Sequence, residues 1–272
     1  KADYPWSERL VAIIPLWLPW AKTHMMWITP EIEHEVRSIS ARQIDRRLKG
    51  RKTKLKRKMY GRTKPGTLRK HHIPIKTDNW DVTEPGFTEV DLVSHSGSNA
   101  SGTFIHSLSM TDILTGWVET VPIMGKTDIV TVRGIEEGIK GLPFPIKGID
   151  SDNGSEFIND NLYSYCKDHD IQFTRGRPYK KNDNAHIEQK NWTHVRKIMG
   201  YERFDTDEHL TAMMELYRNK LRLMMNLFQP CVKLKTKERI GSKITRRYEP
   251  PSTPLDRVVR YYNESNLPLP LP

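Results

Sequence analysis

The chain has 272 residues, 36% of them hydrophobic and 28% charged, with a formal net charge of +11. That length holds one large domain or two ordinary ones around a useful core, and the polarity describes a soluble protein. The most concentrated apolar run, Leu10 to Trp20 (LVAIIPLWLPW), is interrupted by Pro15 and Pro19 and falls short of the ~20 residues a bilayer requires, so a buried helix is expected and a membrane partner is not.

The charge is unevenly spread. Residues 1–75 carry 18 Lys and Arg against 6 Asp and Glu, net +12, while residues 76–232 carry 17 against 23, net −6. Residues 233–247 return to +6, and the final 25 residues sit at −1. Basic arms around an acidic middle suggest a polyanion gripped from outside while acids act locally. Cys166 and Cys231 form neither a CxxC pair nor a disulfide framework, as in a reducing, intracellular setting. The first residue is Lys1 and no secretory signal follows, as expected of a fragment of a longer protein.

In chain order, the first predicted helices are Thr29 to Arg37, with Thr29 as cap and Pro30 in the first turn, and Ala41 to Leu48, capped by Ser40 with Ile44 and Leu48 on one face. Two helices joined by a short turn, the second exposing Arg42, Gln43, Arg46 and Arg47, have the pattern of a helix-turn-helix reader; an ordinary basic amphipathic pair has it too. Residues 49–70 hold eleven Lys and Arg and no acid, among them Lys49, Arg51, Lys52, Lys54, Lys56, Arg57, Lys58, Arg62 and Lys64. Such a run is expected to order only against phosphate.

From Phe87 the pattern alternates. Strands are expected at 87–94, 102–110 and 116–123 with small turn residues between them, as in an antiparallel meander. A helix over 128–141, a strand over 144–149, a helix over 160–169 and a strand over 171–174 follow, and helices over 184–199 and 207–227 close the region. The expectation is a mixed five-stranded sheet with helices on its faces.

Three carboxylates fall where this order can gather them. Asp91 lies inside the first strand, Asp152 just past the fourth, and Glu188 early in a helix, with 35 residues between the last two. Oxygen-only ligands select a hard cation, Mg²⁺ or Mn²⁺, and a pair of such ions can clamp both oxygens of an in-line phosphoryl transfer. The crowd of acids in Ile149-Asp-Ser-Asp-Asn-Gly-Ser-Glu-Phe157 fits a cation site, since like charges so close resist joint ionisation.

The blocks Phe87-Thr-Glu-Val-Asp91, Asp150-Ser-Asp152-Asn-Gly-Ser-Glu-Phe157 and Asn184-Ala-His-Ile-Glu188 resemble the catalytic blocks of the retroviral integrase and bacterial insertion-sequence transposase superfamily. The resemblance implies an α/β, ribonuclease-H-like fold preceded by a small all-α helix-turn-helix region. It implies a catalytic and metal-binding triad of Asp91, Asp152 and Glu188 holding two Mg²⁺ or Mn²⁺ ions. It also implies DNA partners (element ends and target), a homo-oligomer of at least two chains, and a bacterial, cytoplasmic, nucleoid-associated setting. Asp150 is then a structural neighbour and Glu156 an acid at the start of a helix. Ala185 stands where the family has Gly, and no cysteine precedes Cys166, so the zinc-binding head of retroviral members is absent. Tyr179, Lys180, Lys181 and Asn182 suit DNA contact or a solvated loop equally. The organisation expected is 1–48 helix-turn-helix, 49–79 basic linker, 80–230 catalytic domain and 231–272 a basic arm with an extended tail. A ribonuclease-H-like nuclease without strand transfer and a non-catalytic DNA-binding regulator are the alternatives.

Overall fold

The computed structural model describes residues 7–25, 27–53, 73–74, 82–176, 187, 190–240 and 243–270. In chain order these form α1 (Ser7–His24), α2 (Pro30–Ser38), α3 (Ala41–Thr53), β1 (Phe87–Ser94), β2 (Ile105–Asp112), β3 (Val118–Met124), α4 (Asp128–Ile139), β4 (Gly148–Ser151), α5 (Asp160–Asp168) and β5 (Gln172–Arg175). A π-helical stretch Asn191–Arg196 runs into a single α-turn, Lys197–Met199. Then come α6 (Asp207–Leu216), continued by π-helical Tyr217–Leu221 and Met224–Phe228, the strands β6 (Leu234–Ile240) and β7 (Lys243–Tyr248), and α7 (Pro254–Glu264). No helix among the described residues is long and apolar enough to cross a membrane. The chain divides into two compact units, residues 1–58 with 225–256 and residues 59–224 with 257–272.

In the first unit α1 packs against α2 and α3. Only one side of α1 is buried, through Ile13 and Leu18; Leu16 and Trp20 stand 55% and 61% exposed, so the apolar run makes a half-buried helix rather than the fully buried one its composition suggests. Ser7 Oγ donates to Asp45 Oδ2 at 2.7 Å, tying α1 to α3, and Lys22 pairs with Glu33 of α2 at 2.6 Å. The caps form where the sequence places them. Thr29 Oγ1 accepts from Ile32 N, and Ser40 and Gln43 make a reciprocal capping box, with Gln43 N to Ser40 Oγ at 3.3 Å and Ser40 N to Gln43 Oε1 at 2.9 Å. With no proline to stop it, α3 runs on to Thr53, past the end expected at Leu48. The basic segment after Phe228 is an antiparallel ribbon of β6 and β7.

The second unit carries a five-stranded sheet in the order β3-β2-β1-β4-β5. β1, β2 and β3 form the expected antiparallel meander, and β4 and β5 add parallel to β1, which is the ribonuclease-H-like arrangement. β1 occupies the residues predicted for it. β4 starts only at Gly148, later than expected, because Pro145 has no N–H for a ladder and the Lys147 and Gly148 amides both donate to Gly86 O. Leu108, Met110, Ile135, Ile149, Phe157 and Leu162 centre the core. Gly134 lets α4 lie close on the sheet: a Cβ there would stand 2.8 Å from Ile123 Cγ2 and 3.0 Å from Leu108 Cδ2. On β2, buried along its whole length, Ser107 Oγ links His95 Nε2 and Tyr217 OH at 2.7 Å each.

Candidate active site

β1 and β4 run parallel with Phe87 opposite Gly148 and, three steps on, Val90 opposite Ser151. One more step along both chains reaches Asp91 and Asp152. Register neighbours in parallel strands share a face, so continuing the register past the end of β4 puts the two carboxylates on one side of the sheet. Two residues earlier on that face stand Glu89 and Asp150, also register partners and 1% and 0% exposed. Asp150 Oδ1 accepts from Thr174 Oγ1 of β5 at 2.6 Å.

Each half-buried acid is oriented by donors. Asp91 Oδ1 accepts from Leu92 N at 2.8 Å and Oδ2 from Asn191 Nδ2 at 2.7 Å. Asp152 Oδ1 accepts from Gly154 N at 2.8 Å. A carboxylate oxygen has two lone pairs, so each retains acceptor capacity toward a cation. Burial, seconded by the charge of Glu156, pushes the Asp152 carboxyl above its usual range; the Gly154 amide and Lys126 act the other way. An oxygen-only pair of carboxylates fits a hard divalent cation.

Glu188, the third predicted acid, lies outside the described residues, but described residues on both sides of it touch β1. Ile187 N donates to Glu89 Oε2 at 3.1 Å, and Asn191 reaches Asp91 as above. Among the described residues no group of three or more His, Cys, Asp or Glu could hold a metal ion. Glu156 departs from expectation. The helix after it starts only at Asp160 under an Asn159 cap, and Glu156 is instead a buried acid, 2% exposed at its side chain, paired with Lys126 Nζ at 3.2 Å.

The family described as "Integrase core domain" matches residues 82–181. An uncharacterized protein, y4rM, of Sinorhizobium fredii (strain NBRC 101917 / NGR234) is 36% identical over 253 residues, covering 92% of this chain and 72% of that protein. The chain belongs to the integrase core family of the retroviral integrase superfamily. A Pro-Pol polyprotein of feline foamy virus is 27% identical to this chain over 96 residues, which is 35% of the chain and 8% of the polyprotein. Among solved structures, the catalytic core domain of BIV integrase matches 66% of this chain and 98% of its own at 16% identity, TM-score 0.42. The HTLV-2 integrase catalytic core domain in complex with magnesium matches 55% and 92% at 14% identity, TM-score 0.41.

The predicted DNA-contacting residues fall mainly outside residues 82–181 in the sequence. Arg42, Gln43, Arg46, Arg47 and Lys49 are exposed on α3, although the Gln43 carboxamide oxygen is engaged in the Ser40 capping box. Arg51 and Lys52 fall on the last turn of α3. Lys54, Lys56, Arg57, Lys58, Arg62, Lys64, Tyr179, Lys180, Lys181 and Asn182 lie outside the described residues. Sequence reasoning passed over Glu89 and Asn191. Glu89 was visible as the acid two before Asp91 on a period-two strand, whereas nothing local marks Asn191 as the partner of a residue 100 positions earlier.

Proposed function

We propose that this integrase-family chain is a DNA transposase that binds the ends of a mobile element, cleaves them by metal-dependent hydrolysis and joins the freed 3′-hydroxyl to target DNA. The observation that carries this reading is the register of β1 and β4, whose next step sets Asp91 beside Asp152 on one face. The hold of Ile187 and Asn191 on the acids of β1 supports Glu188 as the third member. Asp91, Asp152 and Glu188 would hold two Mg²⁺ or Mn²⁺ ions, whose Lewis acidity lowers the pKa of the attacking oxygen and neutralises charge at the phosphorus. The chain's own part is orientation. Leu92 N and Asn191 fix both oxygens of Asp91, and Gly154 N fixes one of Asp152, so these two carboxylates are oriented before DNA arrives. In the first step water attacks the phosphorus and the 3′ oxygen leaves; in the second that 3′-hydroxyl attacks a target phosphate and displaces the target's 3′ oxygen. The organisation supporting this work is 1–48 as a helix-turn-helix reader, 49–79 as a basic linker, 80–230 as the catalytic domain and 231–272 as a basic arm. Pairing two ends requires at least a dimer.

The test is incubation with Mg²⁺, labelled element-end DNA and a target plasmid, comparing wild type with Asp152→Asn. Joined product from the wild type only is expected. Nicks without joining would favour a nuclease, and retention without cutting a regulator.

A further inference from the structure

The loop from Asp152 to Phe157 brings two carboxylates against one glycine. A Cβ built on Gly154 would stand 2.9 Å from Asp152 Oδ1 and 2.9 Å from Glu156 Oε2, so both carboxylates crowd the space beside that Cα. A small movement of Glu156 would bring oxygens of both onto a single cation. Something holds Glu156 back, and it comes from the loop after β3. Lys126 follows β3 by two residues, after Gly125 at φ +74° and immediately before the α4 cap Thr127. Its ammonium lies 3.2 Å from Glu156 Oε1, the oxygen opposite the one that crowds Gly154.

We propose that Lys126 is a positioning residue that keeps the buried Glu156 carboxylate out of the cation site, so that a loop with two acids contributes only Asp152. This rests on the reading of Asp91, Asp152 and Glu188 as the metal-holding set. Phosphoryl transfer needs open coordination positions for the phosphate and its attacking oxygen, and a further anionic ligand would fill one. The two partners are unequal in burial, 2% against 36% exposed at the side chain. Removing the lysine leaves a buried charge without its counterion, whereas removing the acid leaves an ammonium that water can solvate.

The asymmetry defines the experiment, made on the full chain as Lys126→Met, Lys126→Arg, Glu156→Gln and the Lys126→Met/Glu156→Gln double variant. Single-turnover joining by Lys126→Met is expected to fall about 100-fold, the scale of misplacing a reacting group by an ångström. Its affinity for end DNA in metal-free buffer stays at the wild-type value. Lys126→Arg and Glu156→Gln keep most of the rate, and the double variant recovers it. Calorimetric titration with Mn²⁺ gives a second readout: Lys126→Met binds about tenfold more tightly because a carboxylate has joined the ligand set, and Glu156→Gln in the same chain reverses the gain. A double variant no better than Lys126→Met, or a loss of DNA affinity with a shallower salt dependence, which would make Lys126 a phosphate contact, overturns the proposal. If Lys126→Met fails to fold, the double variant, which buries no charge, and Lys126→Arg still decide it. A wild type that joins no DNA defeats the proposed function, while the Mn²⁺ titration continues to test the role of Lys126.

Discussion

Replacing Gly154 by alanine tests the site's geometry with one methyl group. The added carbon would stand 2.8 Å from Glu156 Cδ and 2.9 Å from both Asp152 Oδ1 and Glu156 Oε2, where ordinary contact begins at 3.4 Å. Relief therefore needs about half an ångström of movement, and neither acid moves freely, since Glu156 is buried against Lys126 and Asp152 is tied to the Gly154 amide. If a full ångström of misplacement costs about 100-fold, half of that costs roughly tenfold, or about 1.4 kcal/mol of barrier. Folding should register far less, because the ~0.4–1 kcal/mol gained by restricting the unfolded chain offsets much of the crowding. The assay is single-turnover joining of labelled end DNA beside urea unfolding of the same preparation. A wild-type joining rate, or a rate lost only in proportion to unfolded protein, would refute the view that Gly154 spaces the two carboxylates.

Asn191→Leu removes the donor to Asp91 Oδ2 at near-constant volume; joining should fall more than tenfold, with about 1.5–3 kcal/mol lost in urea unfolding for a hydrogen bond to a charged group. Burial, then the charges of Arg196 and His106, hold His95 at about 3, and burial, then Lys126 and Arg196, hold His106 at about 4. Depressed histidine values mean that the unfolded chain protonates first. Their stabilisation is thus complete above the ordinary 6.5 and is lost as pH falls below it toward the folded values, by up to about 1.4 kcal/mol per ring per unit. Urea unfolding at pH 7.5, 6 and 5 reads that slope, and a flat profile would contradict it. Tyr217→Phe removes one hydrogen bond to Ser107 and should lower Tm by ~2–4 °C in calorimetry, the equivalent of about 1 kcal/mol. Arg222→Met strips the ion-pair partner at 2.8 Å from Glu119, whose side chain is 7% exposed and whose carboxyl burial already pushes up. Glu119 then keeps the Trp117 indole N–H, and a loss of about 3–5 kcal/mol is expected, read by chemical denaturation.

Local patterns were the legible part of this chain. Period-two alternation located β1 to the residue, and side chains that satisfy orphan amides, Thr29 and Ser40, marked the starts of α2 and α3. The same logic was available for α7, where Thr253 Oγ1 accepts from Asp256 N at 3.0 Å and Asp256 Oδ2 from Thr253 N at 2.9 Å, yet the proline-rich surroundings masked it. Pairings made across the sheet had no such local mark. Nothing in the spacing of Lys126 and Glu156, 30 residues apart in the loops that follow β3 and β4, announces an ion pair, and Glu156 therefore read as an acid at the start of a helix.

The π-helical stretches add a different kind of constraint. Met213, Tyr217 and Leu221 recur at intervals of four and pack in a single cluster with Ile105. On an unbroken α-helix such a row would creep around the axis by about 40° per step, and the wider winding that begins at Tyr217 turns it back. The helix is effectively geared: shortening that stretch by one amino acid would leave every later side chain clocked to a new bearing while the backbone stayed helical.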